Sequence, residues 1–211
     1  MKRILTILTV FAICGFAAPA AAQPSPFAAP LASRGFEEIA KRGNVQVFQN
    51  EDSKIIHFAA IGTFDAPPEK VREILLDYSS QVGKIGRLSE AKVISKSARG
   101  ALVYQRLNLP IVSDRDYVLD VNWGERDGQL WIVHRAITGR GPAAKRGVVR
   151  VTEHVGRWRL RPIRGGTATE ACFETRINMA GSIPMWMVRN GTARELPRVY
   201  SEFSSLLQEV R

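Results

Sequence analysis

The chain has 211 residues, 45% of them hydrophobic and 24% charged, with 30 Lys and Arg against 20 Asp and Glu for a formal net charge of +10. A length of this order suits one domain with a sizeable core. Two cysteines, Cys14 and Cys172, exclude a disulfide-built scaffold.

The amino terminus reads Met1-Lys2-Arg3, an apolar run from Ile4 to Ala18, Pro19, and then Ala20-Ala21-Ala22 ahead of Gln23. A basic start, a short apolar stretch and an Ala-x-Ala site predict a cleaved secretory signal over residues 1–22. The run is shorter than the ~20 residues that cross a bilayer. Ile13 before Cys14 argues against lipid attachment there. Removing 22 of 211 residues leaves 189, and the charge falls from +10 to +8 because Lys2 and Arg3 leave. In an exported protein, expected in the periplasm, that charge points to an anionic membrane surface or an acidic partner rather than nucleic acid. A solvated basic surface that aids solubility is the plain alternative. Cys172 then stands alone, so the core must hold the mature domain together.

Residues 23–53 read as an Ala/Pro-rich leader and a short helix. Phe36, Ile39 and Ala40 have helical spacing between Leu31 and Arg42, with Gly43 as the stop. Residues 54–211 carry the main domain. Lys54 to Phe64 reads as a strand, and Ala66-Pro67-Pro68-Glu69 opens a helix with Val71, Ile74, Leu75 and Tyr78 inside; proline suits a first turn, where its missing N–H has no partner to lose. Strands follow at Ala91–Lys96, Ala101–Leu109, Asp116–Trp123, Gln129–Ile137, Val148–His154, Arg157–Pro162 and Glu170–Met179. Turn signals at Arg99-Gly100, Asp127-Gly128, Val155-Gly156 and Gly165-Gly166 predict a mainly antiparallel sheet. Beyond the apolar stretch Ile183–Asn190, Leu196, Val199, Phe203, Leu206, Leu207 and Val210 return at helical spacing, with Gly191 and Pro197 expected to bend or interrupt the helix. The fold class is α+β, a curved antiparallel sheet wrapped around a long C-terminal helix.

Four stretches together carry a resemblance. They are Ala66-Pro67-Pro68-Glu69-Lys70-Val71 leading to Leu76-Asp77-Tyr78; Val112-Ser113-Asp114-Arg115-Asp116-Tyr117-Val118; Gly147-Val148-Val149-Arg150-Val151 with Gly156-Arg157-Trp158-Arg159-Leu160-Arg161-Pro162; and Gly181-Ser182-Ile183-Pro184-Met185-Trp186. In order and spacing the chain resembles the START family, lipid-transfer domains of the helix-grip fold, from about Ile56 to Val210. The resemblance implies one lipid held in a tunnel between sheet and C-terminal helix, with a loop and that helix as gate. Trp186 and Met187 lie where such proteins place the gate helix.

The residues themselves supply candidates for the tunnel. Arg115, Tyr117, Leu119 and Val121 share one strand face. Facing inward, Arg115 sets a cation in an apolar cavity, where it would anchor a lipid head group; at a sheet edge it would pair with Asp114 or Asp116. Sterol-binding relatives set an acid against this arginine, whereas Gln105 stands near that place here, which favours an acidic or phosphorylated head group. Trp131, His134, Met179 and Ile183 complete the expected lipid-binding set. Arg140, Lys145 and Arg146 lie in the Gly/Pro-rich stretch Gly139–Gly147, read as a membrane-docking loop at the tunnel mouth or as a plain basic hairpin.

His57, His134 and His154 have no metal-ligand spacing, and no nucleophile elbow or paired carboxylates stand out, so neither catalysis, metal nor cofactor is expected. The partner expected is a lipid or other hydrophobic small molecule, bound by a monomer in transient contact with membrane. A cyclase-like enzyme of the same broad fold, using His134 with Arg115, and a basic docking module of the cell envelope are the alternatives.

Overall fold

The computed structural model describes residues 25–50, 55–181 and 185–209, with side chains of the last segment described from Asn190 onward. The expected signal, residues 1–22, lies outside the described residues. Ten strands of the described residues form one sheet: β1 (Phe36–Arg42), β2 (Val45–Asn50), β3 (Ile56–Phe64), β4 (Leu88–Lys96), β5 (Gly100–Leu107), β6 (Asp114–Arg126), β7 (Gln129–Ala136), β8 (Val148–Arg150), β9 (Glu153–Ile163) and β10 (Ala168–Asn178). Their order is β1-β2-β3-β10-β9-β7-β6-β5-β4, with antiparallel neighbours throughout. The short β8 pairs parallel with the start of β6, beyond the reach of β7.

Among the described residues, three α-helices cover the inner face of this sheet, and a short first one packs on the outer face. After α1 (Ala28–Ala32), α2 (Pro68–Leu76) begins with Pro68 in its first turn and turns Val71, Ile74 and Leu75 inward; α3 (Tyr78–Gln81) follows, started by Asp77, whose carboxylate accepts from the Ser80 N–H. The last element, α4 (Met185–Glu209), buries Leu196, Tyr200, Phe203, Leu206 and Leu207. These positions and the inner sheet residues Phe58, Val103, Leu119, Ile132 and Leu160 form the main core. Each fully buried side chain of this size contributes about 1.5–3 kcal/mol, before the entropy of ordering it. A second core on the outer face joins Phe27 and Leu31 to Phe36, Phe48 and Ile61; it also buries the free Cys172. No helix among the described residues is long and apolar enough to cross a membrane.

Tyr200 fixes where α4 lies. Its hydroxyl donates to the Ala60 carbonyl at 2.9 Å and sits 3.1 Å from the Ala171 carbonyl, while its ring covers Gly62 on β3. A Cβ at Gly62 would stand 2.7 Å from two ring carbons, so the close approach requires glycine.

Three expectations need correction. Leu31 to Arg42 is not a helix: α1 ends at Ala32, and Phe36–Arg42 is β1, joined to β2 by the two-residue turn Gly43-Asn44. A register shift between Glu38 and Ala40 leaves Ile39 unpaired, so Phe36 joins the outer core and Ala40 the inner one. That bulge gives a strand the apolar spacing of a helix. The domain therefore starts upstream of residue 54. Val155-Gly156 is not a turn, since β9 pairs without a break from Glu153 to Ile163 against β10; the expected strand Val148–His154 divides instead into β8 and the start of β9. Gly191 and Pro197 do not interrupt α4, which is one helix through both.

Candidate ligand-binding site

The concave face of the sheet, α2, α3 and α4 enclose a cavity of about 520 Å³. Phe58, Leu119, Ile132, Trp158 and Phe173 supply the sheet wall, Leu75 and Tyr78 one helical wall, and Leu196, Val199 and Phe203 the other. The β5–β6 connection contributes Leu109, Pro110 and Val112, with Ile111 between them 92% exposed and at a φ of 73°.

Polar side chains interrupt this lining along a row of adjacent strands. Gln105 on β5 stands opposite Tyr117 on β6, and both line the cavity. The Tyr117 ring is 5.5 Å from that of His154 on β9, which is 5.0 Å from that of His134 on β7. His154 Nε2 lies 3.1 Å from Thr175 Oγ1 on β10, whereas its Nδ1 is buried with no hydrogen-bond partner. Both imidazoles belong to the cavity lining. Burial pushes the His134 imidazole down to about 3, with neighbouring His154 adding to the effect, and pushes His154 down to about 4. Burial likewise raises the Tyr117 phenol. All three are therefore neutral near pH 7.

The charged residues on the lining are Arg87 and Glu195, paired across 3.3 Å between the α3–β4 connection and α4. They mark the side on which α4 is tied down, because Lys84 reaches Glu209 at 2.6 Å and the Gly86 N–H donates to Glu202 at 2.6 Å.

Of the residues singled out in the sequence, Gln105, Tyr117, Leu119, His134 and Met179 line the cavity. Ile183 lies outside the described residues, and Trp186 and Met187 fall in the part of α4 whose side chains are not described. Arg115 is 3% exposed, is not on the lining, and donates to the carbonyls of Ser113, Met179 and Ala180. It thus clamps the connection from β10 to α4. Neither neighbouring acid pairs with it: Asp114 holds Arg106 and Asp116 holds Arg150. Val121 is fully buried in the core beside His134 and is likewise not on the lining. Trp131 lies on the other face of β7 from Ile132 and His134, as the two-residue strand period demands, and its ring packs over Gly124.

The segment with Arg140, Lys145 and Arg146 does not reach the cavity. Lys145 pairs with Glu90 at 2.8 Å and caps the Tyr104 ring, and Arg150 bridges Asp116 to the Pro142 carbonyl. Tyr104 and Val118 belong to the outer face, so these contacts hold the loop there and away from the cavity opening. Arg140 and Arg146 are exposed.

His154 and Thr175 were missed in the sequence. His154 alternates with Gly156 and Trp158 on β9, a signal hidden by reading a turn through the middle of that strand.

No family model matches the chain. An uncharacterized protein of Pseudomonas aeruginosa is 23% identical over 141 residues, 66% of this chain and 69% of that protein. A STAR-related lipid transfer protein of Xanthomonas axonopodis matches at a TM-score of 0.74 with 18% identity, over 82% of this chain and 99% of that one. Human STARD10 matches at 0.75 with 14% identity, over 92% and 83%. The chain has the START helix-grip fold. Its curved antiparallel sheet and covering C-terminal helix are those the sequence predicted.

Proposed function

We propose that this START-fold protein is an exported, periplasmic lipid-binding or lipid-transfer protein that holds one hydrophobic ligand between the sheet and α4. The cavity carries the reading: about 520 Å³, walled by aliphatic and aromatic side chains from sheet and helices, within the range that encloses one small molecule. The fold shared with the STAR-related lipid transfer protein of Xanthomonas axonopodis supports a ligand of lipid character. The leading segment Met1–Ala22 supports export. Exposed Arg140 and Arg146 on the outer face support transient contact of a monomer with an anionic surface.

A cyclase-like enzyme is the second reading, favoured by the imidazole pair inside the cavity. Imidazoles held at about 3 and about 4 are weak bases at neutral pH, and Arg115 is engaged elsewhere, so binding is the better supported role. Native mass spectrometry of the exported protein, followed by exchange with labelled vesicles, tests both. One lipid class bound one-to-one and exchanged unchanged is the expected result. Chemical conversion of the ligand points to the enzyme, and an empty protein that takes up no lipid overturns the carrier.

A further inference from the structure

We infer that the sheet side of the cavity is a hydrogen-bonding subsite, built from Gln105, Tyr117, His134 and His154, that selects an uncharged lipid carrying a hydroxyl or carbonyl oxygen. This inference rests on the lipid-binding reading and names the class of lipid.

The four side chains come from four adjacent strands, β5, β6, β7 and β9; Tyr117, His154 and His134 follow one another at ring distances of 5.5 and 5.0 Å, Gln105 stands opposite Tyr117, and all four line an otherwise apolar volume. Among the described residues, no side-chain hydrogen bond engages Gln105, Tyr117 or His134, whose side chains line the cavity, and the one fully buried polar atom of the row without a partner is His154 Nδ1. Unpaired donors and acceptors on an otherwise apolar wall favour a ligand that brings a polar atom to them.

The chemistry of these groups restricts that visitor. A neutral imidazole has one donor and one acceptor nitrogen. If His154 Nε2 donates to Thr175 Oγ1, Nδ1 accepts a ligand hydroxyl; with the roles reversed, Nδ1 donates to a ligand carbonyl. The Gln105 amide offers both functions, and the Tyr117 phenol donates. Charge is disfavoured from both directions. Arg115 is turned away and spent on three carbonyls, and Arg87 and Glu195 neutralise each other at the α4 side. The two imidazoles are held neutral by burial. An ionised carboxylate or phosphate carried to this row would lose its water without meeting a counter-charge. The acidic or phosphorylated head group expected from an uncompensated Arg115 therefore has no seat here.

The test uses the exported protein loaded with pyrene, an uncharged hydrocarbon that needs no polar partner, and displaces it at about pH 8 with dodecan-1-ol or with dodecanoate. The expected result is displacement by the alcohol at a concentration at least roughly tenfold lower than by the carboxylate, and loss of most of that alcohol-over-carboxylate ratio in Tyr117→Phe and His154→Phe, each variant's two displacements being compared against its own pyrene complex. Gln105→Leu provides a third variant if His154→Phe does not fold. Equal or stronger displacement by dodecanoate overturns the inference, and so does a preference that survives the substitutions, which would assign these groups to bound water. A protein that takes up no pyrene overturns the lipid-binding reading itself and the inference with it.

Discussion

His134 on β7 occupies the space that the missing side chain of Gly156 leaves on β9. The two residues are register partners, and a Cβ at Gly156 would overlap the imidazole. Glycine inside a strand usually weakens it; here it lets the Nε2 edge of a polar ring come close to the neighbouring strand at the cavity wall. Gly156→Ala is expected to destabilise the fold by about 1–3 kcal/mol and to reduce uptake of a hydrophobic probe, because the ring must swing into the cavity or the strands must part. Thermal unfolding and pyrene binding check this. The paired variant Gly156→Ala/His134→Ala should regain most of the lost stability; no recovery would place the defect in the backbone instead.

Arg115 separates two roles that a sequence cannot. As the clamp between β6 and the Met179–Ala180 segment, it should matter for stability and hardly at all for ligand class. Arg115→Leu leaves three carbonyls without their charged donor and is expected to lower stability by about 2–4 kcal/mol. Chemical denaturation measures the loss, and extraction of the bound ligand from the surviving folded protein reports its class. A changed ligand class at unchanged stability would restore Arg115 as the anchor.

The same residue illustrates what was legible in the sequence. Alternation placed Arg115 on the face of Tyr117 and Leu119, and all three are indeed buried. Alternation alone does not say whether a side chain on the inner face reaches the cavity: Leu107, the register partner of Arg115, lines it, whereas the Arg115 guanidinium is taken up by carbonyls of the β10–α4 connection. The central strands and α4 were readable because long runs carry a clear period. The first hairpin was not, because the bulge at Ile39 shifts Ala40 to the other face of the sheet from Phe36 and produces a false helical spacing. Trp131 failed for a plainer reason: it cannot share an inward face with His134 three residues on.

The α3–β4 connection holds α4 through Lys84–Glu209, Gly86–Glu202 and Arg87–Glu195, and Gly86, Arg87 and Glu195 also line the cavity. Opening on this side must break these contacts. The exposed ion pairs are each worth little, about 0–1 kcal/mol, whereas Glu202 accepts a backbone N–H in a half-buried setting and also holds Arg198 at 2.7 Å. Glu202→Ala is expected to speed exchange of a bound fluorescent lipid with vesicles roughly two- to tenfold, with a loss in stability of about 1 kcal/mol. Stopped-flow exchange gives the rate. An unchanged rate would move the opening to the Leu109–Val112 side.

Acid should loosen this protein well before carboxylates are fully protonated. The folded state holds His134 at about 3 and His154 at about 4 against an ordinary 6.5, so as pH falls below about 6.5 the unfolded chain takes up protons that the folded one refuses. Stability is therefore complete above that value and declines toward about pH 4, by up to roughly 1.4 kcal/mol per pH unit for each imidazole. Glu174 adds a second, lower window. Burial alone would raise its carboxyl, but hydrogen bonds from His57 and Arg34 outweigh burial and bring it to about 2, so its contribution is present above about 4.5 and is lost as pH falls toward 2. Urea unfolding at about pH 7.5, 6 and 5 should show a midpoint falling stepwise in the native sequence. In His134→Phe/His154→Phe the fall over the same range should largely disappear, since no cavity imidazole is left to titrate. A double variant as acid-sensitive as the parent would assign the upper window to other groups and leave the imidazole pair without its expected effect on stability.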